Sequence, residues 1–181
     1  MIETERLILR PWQESEAAIL YRYASDPDVG PVAGWAPHAS VADSLEIIRT
    51  IFAAPEVYAV VLKDTGEPVG SCGIMVSDGL HSADMKRGEA EIGYWIGKPY
   101  WGQGLIPEAV EALLARCFNN LALDAVWCGY YEGNNKSKRV CEKCGFRFHH
   151  TNHGILSPLG DTRTEHFHRM TREDYISLHG H

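Results

Sequence analysis

Residues 91–109 read Glu-Ile-Gly-Tyr-Trp-Ile-Gly-Lys-Pro-Tyr-Trp-Gly-Gln-Gly-Leu-Ile-Pro-Glu-Ala. This stretch predicts a strand, a short glycine loop and the start of a helix. Gly102 and Gly104 allow backbone N–H groups to approach a ligand closely, and a helix from about Ile106 directs the positive end of its dipole at an anion. Pro107 removes no needed donor from the first turn of that helix. The segment is therefore a candidate cradle for a phosphate group.

Two common nucleotide-binding motifs are excluded at this loop. A Walker loop requires Gly-Lys followed by Ser or Thr, and the dinucleotide fingerprint Gly-x-Gly-x-x-Gly fails because Pro107 occupies the third glycine position. The sequence therefore argues against nucleotide hydrolysis and hydride transfer. A Gly-x-Gly turn before a helix is also typical of an ordinary strand-to-helix connection.

The chain on both sides of this segment predicts a mixed order of strands and helices, not a repeated βαβ unit. A hairpin is expected around Gly66, a helix N-terminus at Ser40 with Asp43, and a helix end at Gly145. Segment 77–88 is polar, which predicts a mobile loop. The predicted strands are 5–10, 57–63, 68–76, 89–96, 124–130, 146–150 and 165–170, and the predicted helices are 13–24, 40–53, 106–119 and 134–144.

Composition limits the class of protein. The chain has 181 residues, of which 45% are hydrophobic and 23% charged, so we expect one domain over residues 1–181. No apolar stretch approaches the ~20 residues of a membrane span, and the acidic start does not resemble a signal peptide, so a cytoplasmic location is expected. A net charge of −7 without a basic block argues against nucleic-acid binding and suits amine substrates.

Four ordered motifs run almost from end to end of the chain. They are residues 3–10, residues 91–109, Asn134-x-x-Ser137 followed by Val140-x-Glu142-Lys143-x-Gly145-Phe146, and residues 169–175. With these motifs the sequence resembles the GNAT N-acetyltransferase superfamily. It is most similar to the Rim-type branch, the ribosomal-protein N-terminal acetyltransferases.

The resemblance implies an α/β (α+β) single-domain GNAT fold. Its mixed, mostly antiparallel sheet would be splayed at an acetyl-CoA cleft, with helices on both faces. Acetyl-CoA would be the co-substrate, and no metal is expected. One departure from the family pattern is Pro99, where Gln or Arg is usual, and Lys98 is a candidate for the lost positive charge. The implied cofactor-binding residues are Tyr94, Trp95, Ile96 and Asn134 for the pantetheine, and Trp101, Gly102, Gln103, Gly104 and Leu105 for the pyrophosphate.

Acetyl transfer to an amine requires a base for the amine and an acid for the departing thiolate. Glu91 matches the family's carboxylate base. Glu89 shares its strand face, so it is an alternative base or a second carboxylate at the substrate. Many GNAT enzymes use a tyrosine as the acid, but Cys141 occupies that position here. The Rim-type branch instead suggests Ser137, with Cys141, Tyr130 and Tyr131 as alternative donors.

An α-amine has a reference pKa of ~8 and a lysine ~10.4, so a protein N-terminus is the easier of the two to deprotonate. The resemblance to the Rim-type branch implies a protein N-terminal α-amine as the acceptor. Two alternatives stay open, a small amine such as a polyamine, amino sugar or amino acid, and a non-catalytic acyl-CoA-binding module. Trp35 is a candidate substrate contact, as are His81, His153 and His168. A rival hypothesis is a structural zinc site at Cys141 and Cys144 with Cys128, His149, His150 and His153. The protein would be a monomer or a homodimer.

Overall fold

Eight strands form one sheet in residues 1–77 and 84–180, the part of the chain that this computed structural model describes. The sheet order is β1-β2-β3-β4-β5-β6-β8-β7. The strands are β1 (Ile2–Glu3), β2 (Leu7–Arg10), β3 (Val57–Leu62), β4 (Pro68–Val76), β5 (Glu89–Ile96), β6 (Ala125–Tyr131), β7 (Arg147–Leu156) and β8 (Thr162–Thr171). The α-helices are α1 (Ala17–Ala24), α2 (Val41–Arg49), α3 (Leu105–Ala115), α4 (Asn135–Lys143) and α5 (Arg172–His179).

The central feature of the sheet is the pair β5 and β6, which run parallel whereas the other neighbours run antiparallel. These two strands pair over a short stretch, Glu89 with Ala125 to Glu91 with Trp127. Beyond Glu91, β5 continues its ladder with β4, and β6 continues its ladder with β8. The two strands therefore diverge, which confirms the predicted mixed, mostly antiparallel and splayed sheet.

Helices cover both faces of the sheet, as expected. Successive side chains of a strand point to opposite faces. In β3, Val60 belongs to the core that contains α3 and α4, whereas Ala59 belongs to a second core with α1 and α2. Leu113 of α3 and Leu20 of α1 are fully buried in these cores. Burial of each such leucine stabilises the fold by about 1.5–3 kcal/mol.

Helix ends follow local capping chemistry. The Ser40 hydroxyl accepts a hydrogen bond from the Asp43 N–H at 3.1 Å, so α2 begins where the sequence predicts. Thr171 and Asp174 form a capping box that begins α5, a helix absent from the sequence prediction although its capping signal was present. The predicted helix 106–119 is α-helical only to Ala115 and then continues as a π-turn.

The hairpin of β7 and β8 is longer than predicted. Both strands have ten residues, because they pair with each other from Arg147 to Leu156 with two register shifts. Polar and histidine side chains hid this extension, since much of β7 is exposed and shows no apolar alternation. The predicted helix 13–24 begins as a 3-10 turn at Glu14–Glu16.

Residues 78–83, which are half of the predicted mobile loop 77–88 and include His81, lie outside the described residues. Within the described ranges, no helix is long and apolar enough to cross a membrane.

Candidate active site

The divergence of β5 and β6 opens a cavity of about 750 Å³. Its floor comes from the two strands, one wall from the glycine loop and α4, and another from the segment between α1 and α2. The cleft brings together most of the residues that the sequence selected. Those that line it are Trp35, Glu91, Tyr94, Trp95, Ile96, Trp101, Gly102, Gly104, Leu105, Tyr130, Tyr131, Asn134 and Ser137.

The glycine loop has the geometry of an anion cradle. Gly102 and Gly104 have φ angles of 75° and 74°, which favour glycine, and a Cβ at Gly102 would meet no protein atom within 4 Å. Gly104 is the N-cap of α3 and supplies no capping side chain, so the first N–H groups of the helix have no side-chain acceptor. Space and N–H donors at a helix N-terminus fit a pyrophosphate group.

The loop is anchored from the start of the chain. Arg6 donates from Nη1 to the Gln103 carbonyl at 2.9 Å, and its Nε lies 2.7 Å from the Glu108 carboxylate. Gln103 does not line the cavity, since its side-chain amide donates to the Pro99 carbonyl at 3.3 Å. The Gln103 backbone therefore belongs to the glycine loop, whereas its side chain contacts Pro99.

The positive charge beside the cavity comes from α4. Lys98, the sequence candidate, forms an ion pair with Asp28 and does not line the cavity. Lys136, Arg139 and Lys143 line it instead, and the Lys136 ammonium lies 4.1 Å from the centre of the Trp101 ring. Sequence reasoning missed these three residues, although their spacing of i, i+3 and i+7 places them on one helix face.

Glu91 stands at the last paired position before β5 and β6 diverge. Burial, together with the negative charge of Glu165, raises its pKa to about 7. Glu165 lines the same cavity from β8, and burial raises its pKa too. Sequence reasoning did not select Glu165, because only the tertiary fold brings β8 beside β6. Two carboxylates thus face the cleft.

Glu89 has a different environment. It is buried, accepts a hydrogen bond from Trp127 Nε1 at 2.8 Å and pairs with Arg169 at 2.5 Å. Burial alone would raise its pKa, but hydrogen bonds from Trp127, the Lys86 N–H and Arg169 outweigh burial and hold the pKa below its usual value. Glu89 does not line the cavity. The expectation of Glu89 at the substrate is therefore corrected, because its carboxylate is committed to an internal ion pair.

Ser137 and Asn134 lie together at the start of α4. The Asn134 Oδ1 accepts a hydrogen bond from the Ser137 N–H at 3.3 Å and caps the helix. The Ser137 Oγ lies 2.7 Å from the hydroxyl of Tyr94 on β5. Ser137 is thus a hydroxyl held on the wall of the cleft opposite β5.

The candidates outside this set lie elsewhere. Cys141 is fully buried and donates to the Cys128 sulfur at 3.0 Å, and this contact together with burial raises its pKa. Cys144 instead contacts the Pro107 carbonyl at 3.7 Å. His168 is buried against Tyr130, and His153 is exposed beside Thr164. Among residues 1–77 and 84–180, no three His, Cys, Asp or Glu side chains converge as a metal site.

A family model and similar proteins agree on the family of this chain. The family model described as "Acetyltransferase (GNAT) domain" matches residues 6–147. "Uncharacterized N-acetyltransferase p20" of Bacillus licheniformis is 30% identical over 149 residues, which cover 80% of this chain and 80% of that protein. "Putative ribosomal N-acetyltransferase YdaF" of Bacillus subtilis is 43% identical over 75 residues, which cover 41% of this chain and 39% of that protein.

A solved structure shows the same architecture. The acetyltransferase (GNAT family) from Bacillus anthracis matches with a TM-score of 0.83 and 23% identity, covering 95% of this chain and 98% of that chain. At this identity the likeness concerns the fold.

Proposed function

This chain belongs to the GNAT acetyltransferase family and is an acetyl-CoA-dependent N-acetyltransferase, and on that premise we propose that its acceptor is the α-amine of a protein N-terminus. Acetyl-CoA supplies a thioester whose carbonyl carbon is already activated toward an amine. The protein must therefore hold the donor, attract and deprotonate the amine, and protonate the departing sulfur.

The observation that carries the proposal is Glu91. It faces the cleft where the strands diverge, and its pKa is raised to about 7. Transfer of a proton from an α-amine of pKa ~8 to such a base is unfavourable by only about 1.4 kcal/mol, whereas transfer from a lysine of pKa ~10.4 is unfavourable by about 4.6 kcal/mol. Glu91 is thus matched to an α-amine near neutral pH.

The acid on the other side of the reaction is Ser137. Its hydroxyl lines the cleft on α4, across from β5. As the new N–C bond forms and the C–S bond breaks, Ser137 donates a proton to the sulfur while Glu91 holds the proton taken from the amine. Both groups return to their starting states by exchange with solvent.

The donor site combines three features of the chain. The free edge of β5 beyond Glu91 offers backbone groups to the pantetheine, and Asn134 lies across from it. The loop from Trp101 to Leu105 fits the pyrophosphate. The α4 face of Lys136, Arg139 and Lys143 adds positive charge for the phosphates.

The acceptor end of the cleft has the opposite charge. Glu91 and Glu165 attract an ammonium group, and Trp35 forms part of the wall. The local similarity to "Putative ribosomal N-acetyltransferase YdaF" supports a protein N-terminus as the acceptor. The negative net charge of the chain agrees with a cationic acceptor.

The decisive experiment measures release of free CoA from acetyl-CoA with matched acceptors. One peptide carries a free α-amine and an internal lysine, and its partner is identical except for an acetylated N-terminus. Polyamines, amino sugars and free amino acids complete the panel. Turnover of the first peptide but not of the blocked one is the expected result.

Other results would redirect the proposal. Turnover of the blocked peptide would identify a lysine acceptor, and preference for a small amine would keep the mechanism and replace the acceptor. Tight acetyl-CoA binding by calorimetry without turnover of any amine would favour a binding module.

A further inference from the structure

The hydroxyl of Tyr94 lies deep between β5 and α4. It lies 2.7 Å from the Oγ of Ser137 and 3.3 Å from the Ser137 carbonyl oxygen. Both contacts cross the gap that opens where β5 leaves β6. The single proton of the Tyr94 hydroxyl has two acceptors within reach, and Oγ is the nearer of the two.

Two buried thiols extend this contact. The Cys128 sulfur on β6 lies 3.4 Å from the Tyr94 hydroxyl, and Cys141 on α4 donates to Cys128 at 3.0 Å. Each thiol and hydroxyl has a single proton to donate. Because Cys128 already accepts from Cys141, its own proton is available for the Tyr94 oxygen. The four groups form a continuous chain, Cys141 to Cys128 to Tyr94 to Ser137.

We propose that Tyr94 is a positioning residue for the acetyl transfer, which donates to Ser137 and so directs the serine proton at the sulfur of CoA. This inference rests on the proposed role of Ser137. It gives the Tyr94 side chain a role, whereas the family resemblance implies only that the backbone near Tyr94 binds the pantetheine. The sequence could not indicate it, because Tyr94 and Ser137 lie on different elements.

The direction of donation decides the chemistry. A single 2.7 Å contact between two hydroxyls has one donor. If Ser137 donated to Tyr94, the serine proton would point at the tyrosine oxygen and could not be donated to the sulfur of CoA. When Tyr94 donates, the serine proton points into the cleft, and the hydrogen bond stabilises the negative charge that develops on Oγ as this proton moves to sulfur.

The tyrosine stays protonated while Glu91 works. Burial, and then the neighbouring Cys128 and Cys141, raise the pKa of Tyr94 well above its usual value. Glu91 ionises near pH 7. The donor is therefore intact across the whole range in which the base becomes active, and a solvent proton restores Ser137 after each cycle.

A double-mutant cycle tests this role. We would compare the wild-type protein, Tyr94→Phe, Ser137→Ala and the double variant in the CoA-release assay with the best acceptor. Tyr94→Phe keeps the ring and removes only the hydroxyl. The matched control is Tyr58→Phe on β3. Tyr58 is buried, does not line the cavity, and donates from its hydroxyl to the Glu56 carboxylate at 2.5 Å.

We expect Tyr94→Phe to lower kcat roughly 10- to 100-fold, with KM for acetyl-CoA unchanged. The double variant should be no slower than Ser137→Ala, since Tyr94 acts through Ser137. Tyr58→Phe should keep the wild-type kcat.

Three results would overturn the inference. One is a Tyr94→Phe variant with wild-type kcat, and another is a double variant whose losses multiply. A raised KM with unchanged kcat would assign Tyr94 to donor binding alone. If the wild-type protein turned over no amine, the proposed function would fail first and this inference with it, whereas active wild-type protein isolates the role of Tyr94.

Discussion

The guanidinium of Arg6, just before β2, lies 2.7 Å from the carboxylate of Glu108 in the first turn of α3. The backbone N–H of Arg6 also donates to Glu108 at 2.8 Å, and Nη1 reaches the Gln103 carbonyl. The opening motif of the sequence therefore has a physical role, because it fixes the glycine loop that would hold the pyrophosphate.

Arg6→Ala should raise KM for acetyl-CoA roughly 5-fold, the equivalent of about 1 kcal/mol of binding free energy. The free energy of unfolding should fall by about 1 kcal/mol, because the guanidinium is half exposed and solvent weakens the ion pair. Steady-state kinetics and urea unfolding measure the two effects. Arg49→Ala, which removes an exposed ion pair with Glu14, is the control and should change neither. An unchanged KM in Arg6→Ala would contradict the anchoring role.

Lys136→Ala should weaken acetyl-CoA binding about 5- to 10-fold by calorimetry, since it removes a positive charge beside the cavity. The loss should shrink at high salt. Lys138→Ala removes the same charge from α4 at an exposed position that does not line the cavity, and its affinity should stay close to wild type. Equal losses in the two variants would show that only overall charge matters.

The pH profile of kcat/KM should rise through about pH 7, because Glu91 must be ionised to accept a proton and its pKa is raised to about 7. Glu91→Gln should lower kcat about 100-fold or more and abolish this limb. A profile that kept its midpoint in the variant would assign the limb to another group.

The same carboxylate should limit stability at high pH. A pKa raised from 4.5 to about 7 means that the folded protein favours the protonated acid. Its favourable contribution is complete below pH 4.5 and is lost as pH rises through 7. The free energy of unfolding of Glu91→Gln, relative to that of wild type, should therefore rise by up to about 3 kcal/mol from pH 4 to pH 8. Urea unfolding at the two pH values measures this difference. An equal difference at both pH values would contradict the raised pKa.

Glu165→Gln should move the midpoint of the kcat/KM profile to lower pH. Its negative charge raises the pKa of Glu91, so removal of that charge makes Glu91 easier to ionise. Glu46→Gln, at an exposed position of α2, should leave the midpoint in place. No shift in Glu165→Gln would mean that burial alone sets the pKa of Glu91.

Glu89→Gln should be a stability variant. Removal of the buried Glu89 charge from its pair with the partly exposed Arg169 should lower the free energy of unfolding by about 1–3 kcal/mol at pH 7. The pKa of Glu89 is lowered, so its stabilisation is present above pH 4.5 and is lost as pH falls through the folded-state pKa. The difference from wild type should therefore shrink in strong acid. The midpoint of the pH profile of kcat/KM should not move in this variant. A shifted midpoint would show that Glu89 does act at the active site.

Local sequence patterns predicted much of the fold. The alternation and turn residues around Gly66 predicted the hairpin of β3 and β4, and the segment from Glu91 to Ala109 predicted strand, loop and helix in the right order. Glu91 and Ser137 could be selected because each lies inside a motif, and both line the cleft. Such signals are local, since capping, turn geometry and strand alternation depend on residues a few positions apart.

Charge and proton chemistry were decided by contacts between distant segments. Glu89 and Glu91 share a strand and a face, yet Arg169 neutralises the first and Glu165 disfavours ionisation of the second. Lys98 lies in the motif but pairs with Asp28, so α4 supplies the charge beside the cavity.

The sequence by itself thus indicated the family, the order of most elements and many of the residues at the cleft. The tertiary structure alone decided which carboxylates and cations line the cavity and that Tyr94 contacts Ser137. The physical reason is that pKa values and hydrogen bonds depend on burial and on neighbours within a few ångströms. Those neighbours come from strands and helices far apart in the chain.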